Sequence, residues 1–215
     1  MRRIRPLDLA QTPRRPHVHR CAYMSAITFH SIADSAYLWA VMHVADEKGA
    51  PYTVTLLTYR SPEHLALHPF GKMPIMQHDD FVLYESLAIA HYIDRAFEGP
   101  PLQPPGLRAQ AIALRWVSVI NAYVFPIMNR FMKERLVRPA WGVEPDHAFI
   151  ESARDALILQ METIETALAD GAYLAGETLT IADSFLLPQL LFFALTPEAR
   201  RSWRKRHGRR RGLRG

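Results

Sequence analysis

The chain is poor in cysteine: Cys21 stands alone among 215 residues. One thiol cannot build a disulfide framework or a cysteine cage for a metal, and it suits a reducing compartment. Metal-ligand patterning is missing too, because the ten histidines show no HExxH or comparable spacing. No uninterrupted apolar run reaches the ~18–20 residues of a membrane span. The longest candidate, around Ser184–Leu195, is broken by Pro188 and Gln189. The first residues, MRRIRPLDLAQTPRRPHVHRCAY, lack the apolar stretch of a secretory signal. They are Arg-rich and acid-poor, like an organelle transit peptide, but Pro6, Pro13 and Pro16 work against an amphipathic helix. A disordered basic extension over 1–23, with a start at Met24, is therefore expected.

Positive charge is plentiful overall, at +5 and a pI near 9.6, yet scarce where the chain reads as folded. Residues 1–23 hold six Arg against one Asp, a net of +5, and residues 196–215 hold nine Lys and Arg against one Glu, a net of +8. That leaves residues 24–195 at −8. The pI, which would suggest a phosphate-rich partner, belongs to the two ends. The body gives no reason to expect nucleic acid, and nothing points to a membrane. With 49% hydrophobic and 22% charged residues, global disorder is excluded. The length allows one large domain or two small ones.

Periodicity favours two. Ala26–His30 reads as a strand, Tyr37–Lys48 as a helix ended by Gly49, and Tyr52–Leu57 as a second strand. Ser61 and Pro62 open a short helix to Leu67. Pro74–Gln77 and Phe81–Tyr84 flank His78-Asp79-Asp80 as a hairpin, and Glu85-Ser86 starts another helix. Gly99–Gly106, with four prolines, is the strongest linker signal. Beyond it strand signals stop. Leu107–Val137 is one helical pattern with a kink expected at Pro126, and Pro145–Ala169 is another, with an apolar stripe from Phe149 to Leu168. Thr180 and Asp183 fit a capping box, and after Leu195 the text turns Arg-rich. The expected architecture is α/β followed by all-α: a βαβ–ββα domain at 24–98, a linker at 99–106, a helical domain at 107–195 and a basic tail at 196–215.

Four features of the first domain bear on chemistry. A serine in the Ser31–Ser35 turn lies near free N–H groups and the positive end of a helix dipole, which would stabilise a thiolate, although a serine there is commonly only an N-cap. The Pro of HPFGKMPIM removes one ladder donor, leaving Met73 able to pair with a ligand backbone; an ordinary turn into an edge strand explains it equally well. Glu85 and Ser86 at a helix start can hold the ammonium and carboxylate of an amino acid, or merely cap. Lys72 could reach a second carboxylate. Jointly these features make a site for a peptide-like thiol.

With EKGAPY (47–52), HPFGKMPIM (68–76), YESLAIAHYI (84–93), RWVSVINAYVFP (115–126) and LAGETLTIAD (174–183) in order, residues 24–195 resemble the cytosolic glutathione transferases, in their serine-type, bacterial-like form. The resemblance implies a thioredoxin-like domain and a helical domain, glutathione as co-substrate with no permanently bound cofactor, a small hydrophobic electrophile, and a cytoplasmic homodimer acting in detoxification. It places the activating serine thirteen positions before Lys48, at Ser35. Met73, beside a cis Pro74, would pair with the cysteinyl unit, Glu85 and Ser86 would hold the γ-glutamyl head, and Lys72 would meet the glycyl carboxylate. The second-substrate pocket is expected between the domains, lined by Ile32, Tyr37, Trp116 and Tyr123, with Asn121 nearby.

The turn HSIADSAY departs from the family pattern: Ala36 and Trp39 stand where Pro and Arg are common. Ser31, His30 and Tyr37 are rivals to Ser35, and Asp34 would oppose a thiolate if it points inward. The turn has no Cys, which speaks against the disulfide-exchange branch. The Arg-rich text after Leu195 replaces the further helix that the family would supply, so a shortened helical domain is expected. A catalytically silent binding protein of the same fold is the alternative function.

Overall fold

The structure is a computed structural model that describes residues 25–199. The expectations placed on residues 1–23 and on the Arg-rich text from 200 onward lie outside the described residues. The first domain runs β1 (Ile27–Ser31), α1 (Ala36–Glu47), β2 (Tyr52–Leu56), α2 (Pro62–Leu67), β3 (Ile75–His78), β4 (Phe81–Tyr84) and α3 (Ser86–Ala96). Its sheet has the order β2-β1-β3-β4, with β1–β2 parallel and the other two pairs antiparallel. This is the thioredoxin-like arrangement. Ile27 and Phe29 of β1 are fully buried, as an alternating strand demands when one face meets helices. Ser35 caps α1 and Ser61 caps α2, each accepting a backbone N–H three residues on at 3.3 Å.

The second domain is helical. A continuous helix, Leu107–Ala140, forms its spine and is followed by shorter helices at His147–Ser152, Arg154–Ala169 and Ile181–Ala194. The spine is long and apolar enough to cross a membrane by length and composition, with a mean hydropathy of 1.5 over 18 residues. It exceeds Ser184–Leu195 in length, although the Ile181–Ala194 helix is more apolar residue for residue. The expected kink at Pro126 is absorbed differently. The helix widens into π turns at Ile120–Val124 and Lys133–Val137, just ahead of Pro126 and Pro139. A proline offers no N–H to the carbonyl four residues back and its ring crowds that carbonyl, so a wider turn relieves both. The expected Pro145–Ala169 helix starts at His147, where Asp146 caps it by accepting the Phe149 N–H at 2.9 Å, and is interrupted at Ala153.

The proline-rich linker is tied down as a strap. Lys48, 6% exposed, donates from Nζ to the carbonyls of Gly99 and Pro100 at 3.1 Å each, and stands 3.4 Å from Asp94 Oδ1. Asp94 accepts the Leu102 N–H at 2.8 Å, and the Leu102 carbonyl accepts the Ile181 N–H at 3.1 Å. His43 of α1 also meets Ser184 Oγ at 2.9 Å. The core is continuous from Phe29 and Val41 to Ile120, Ile181 and Phe185. The Thr180–Asp183 capping box is present, with Asp183 accepting the Thr180 N–H and the Leu174 N–H at 2.8 Å. The packed body also continues past Leu195: Thr196 is fully buried, and Glu198 accepts from Arg135 Nε at 2.7 Å.

Removing one partner of a buried ion pair leaves the other charge uncompensated. Asp94→Ala is therefore expected to cost about 3–5 kcal/mol in urea denaturation. The double variant Lys48→Met/Asp94→Leu should recover most of that loss.

Candidate active site

A cavity of about 850 Å³ opens between the carboxyl end of the sheet and the helical domain. The first domain contributes Ile32, Asp34, Ser35, Tyr37, Lys72, Met73, Pro74, Glu85 and Ser86, so the cavity gathers nearly all the residues singled out from the sequence. The Ser35 hydroxyl accepts the Leu38 N–H, which uses one lone pair and leaves its proton free for a ligand. Glu85 starts α3 with φ 73, makes no side-chain cap and lines the cavity. The first N–H groups of α3, from Ser86 onward, have no partner within the helix. The Met73–Pro74 bond is cis.

The rivals to Ser35 are separated by position. Ser31 is fully buried in β1 with an unpartnered hydroxyl, and His30 meets Gln77 at 3.3 Å; neither lines the cavity. Tyr37 does line it, but its hydroxyl donates to Asn121 Oδ1 at 2.9 Å, bridging the domains. Burial, with the Glu85 charge adding, pushes the Tyr37 phenol far up, so it stays protonated. Asp34 is exposed and lines the cavity.

Two expected pocket residues lie elsewhere. Trp116 is 6% exposed in the core, and Tyr123 is 63% exposed to solvent. The wall is instead Asn121, Phe125, Met128 and Met132, spaced by three and four on one side of the spine. Trp116 and Tyr123 project from the other side, roughly half a turn away. That stripe was readable from spacing alone. Trp141, Gln189 and Phe192, which complete the wall, carried no local signal because they come from distant segments.

Tyr59 and His68 also line the cavity. His68 is 1% exposed, its Nδ1 accepts the Phe70 N–H at 3.2 Å, and its ring lies 4.5 Å from that of Tyr84. Desolvation lowers the His68 pKa, outweighing the opposing pull of Glu85, while His64 and Lys72 lower it further. Among the described residues no cluster of His, Cys, Asp and Glu has the makings of a metal site.

A thioredoxin-like domain facing a helical domain across a shared cavity is the class this structure defines. Comparison with known proteins gives the family. The glutathione S-transferase N-terminal domain matches residues 25–95, and the C-terminal domain matches residues 147–214. Glutathione S-transferase 3 of Zea mays is 33% identical over 176 residues, covering 78% of this chain and 79% of its own. The structure of glutathione S-transferase III in apo form superposes with a TM-score of 0.74 at 30% identity, over 81% of this chain and 84% of that one. Maize glutathione S-transferase I, in complex with an atrazine glutathione conjugate, gives 0.73 at 26% identity over the same shares. The chain belongs to the glutathione S-transferase family.

Two measurements follow from the cavity. Gln189 is 3% exposed and its Nε2 has no partner, which leaves a buried donor desolvated for nothing within the protein. Gln189→Met should hold or raise stability by about 1 kcal/mol in urea denaturation. His68, with its folded pKa depressed, contributes stability that is present above its ordinary value and lost as pH falls below it. The thermal midpoint should therefore drop between about pH 7 and pH 5, and His68→Asn should flatten that drop.

Proposed function

We propose that this chain joins the glutathione thiolate to an electrophilic small molecule, with Ser35 stabilising the sulfur. The observation that carries the residue assignment is the Ser35 hydroxyl itself: held by the Leu38 N–H, lining the cavity, with its proton unspent. Donation to the sulfur favours thiolate over thiol and raises the fraction of nucleophile near neutral pH. The thiol proton passes to solvent. The sulfur then forms a bond to the electrophilic carbon, and the leaving group departs with the bonding electron pair.

Glutathione is the co-substrate and serves as the nucleophile's carrier. Met73, beside Pro74, offers its backbone to the cysteinyl unit. Glu85 takes the γ-glutamyl ammonium, while Ser86 and the open N–H groups of α3 take its carboxylate. Lys72 faces the glycyl carboxylate. Ile32, Tyr37, Phe125, Met128 and Phe192 give the electrophile an apolar seat. The atrazine conjugate held by the maize relative supports such a second substrate. A cytoplasmic homodimer that clears electrophiles completes this reading.

The test is Ser35→Ala in the full chain. Losing one hydrogen bond to a charged sulfur should cut kcat with 1-chloro-2,4-dinitrobenzene about 10- to 100-fold at pH 7. The pKa of the bound thiol should rise by about 1–2 units with it. Loss of the cap costs about 1 kcal/mol and is read separately by denaturation. Full turnover in the variant would overturn the Ser35 role, and glutathione binding without turnover by the wild type would favour a silent binding protein.

A further inference from the structure

His64 lies in α2, is fully buried, and is absent from the cavity wall, yet it ties together three residues around one end of the cavity. Its Nδ1 accepts the Arg60 N–H at 2.9 Å, and its Nε2 meets the Lys72 carbonyl at 2.9 Å. A backbone N–H can only donate and a carbonyl can only accept, so the partners fix the neutral tautomer with the proton on Nε2. The imidazole also lies 5.8 Å from the ring of Tyr59, which lines the cavity.

Arg60 holds φ 61, a left-handed conformation unfavourable for a side chain with a β-carbon. The hydrogen bond to His64 supports it there. The consequence is positional. The Arg60 side chain lies over Gly71, its Nη1 3.5 Å from where a β-carbon on that glycine would stand, next in sequence to Lys72. Among the described residues, neither Arg60 nor Lys72 has a carboxylate partner. A single buried ring thus holds the backbone of Lys72, which lines the cavity, and that of Arg60, whose side chain lies outside the wall beside the neighbouring Gly71.

We infer that His64 is a positioning residue for the glycyl carboxylate of glutathione, acting through Arg60 and Lys72. The inference rests on the glutathione reading above. Without the ring, the Arg60 N–H and the Lys72 carbonyl lose their partner, the Tyr59–Arg60 turn relaxes, and the two cations separate. Affinity for glutathione falls, while the chemistry at Ser35 proceeds normally once the site is filled.

The test compares glutathione with γ-glutamylcysteine, which lacks the glycyl residue, in steady-state assays of the full chain. His64→Asn keeps an acceptor near Nδ1 and loses the donor to Lys72; His64→Gln keeps a donor near Nε2 and loses the acceptor for Arg60. Each should raise KM for glutathione about 10-fold, the size of one charge-assisted contact. The kcat at saturating glutathione should stay within about twofold, and KM for γ-glutamylcysteine should stay within about twofold as well. Arg60→Gly, which suits the left-handed backbone and deletes the cation, should give the same pattern without disturbing the buried ring. Combined with His64→Gln it should add little to either single change. Equal rises in KM for both thiols, or an unchanged KM for glutathione, would overturn the inference. A wild-type chain that neither binds nor turns over glutathione would remove the functional reading instead, and this inference with it.

Discussion

The Lys48 ammonium has almost no water around it, and the groups that compensate it come from places far apart in the chain. Asp94 closes α3, the Gly99 and Pro100 carbonyls open the strap, and Leu102 passes the connection to the start of the Ile181–Ala194 helix. A charge in such a setting tolerates few alternative arrangements, because each lost partner leaves it exposed to a low dielectric. The junction of the two domains is consequently set by polar bonds, while the apolar contacts around it provide most of the burial. The cavity depends on that junction. Its Ser35 side belongs to the first domain and its apolar wall to the second, so the distance between them is set by the Lys48 connection outside the cavity together with the His43–Ser184 and Tyr37–Asn121 bonds.

Three non-glycine residues of the first domain carry positive φ: Asp79 in the β3–β4 turn, where a short polar side chain tolerates it, and Arg60 and Glu85. Arg60 and Glu85 bracket the stretch that carries Lys72, Met73 and Pro74. Strain of this kind persists where surrounding bonds over-determine the conformation, and it recurs at binding sites because the shape is needed for a ligand. Here α2 and its buried imidazole hold one bracket, and the entry of α3 holds the other.

The sequence conveyed the first domain well because its signals are local. Strand alternation, serine caps and the Asp79-Asp80 turn each act over a few residues, and the structure places their elements within a residue or two of expectation. The residues Lys72, Met73, Pro74, Glu85 and Ser86, which line the cavity, stood in equally local signals, whereas Ser35 was picked out of its turn by the family resemblance. That the linker is tied down was not legible, because Lys48 and Asp94, which secure it, lie about fifty and five residues before it, and nothing near the prolines announces them. Trp116 and Tyr123 were expected in the pocket along with Asn121, but a helix sorts neighbours to different sides. Gln189 and Trp141 could be found only by folding the chain. The ring of His64 looked like an ordinary member of SPEHLAL.

The two wide turns in the spine helix bear on how the electrophile wall can change. Each π turn holds one residue more than α-helical spacing needs, so it advances the phase of everything downstream by roughly 100°. Phe125, Met128 and Met132 lie downstream of the Ile120–Val124 turn, and Trp141 lies downstream of both. Loss or gain of a single residue at either turn would rotate a different set of side chains into the cavity and leave the sulfur side alone. The enzyme thus carries two points at which its choice of second substrate can be re-indexed by insertion or deletion, without any substitution in the thiol-binding domain.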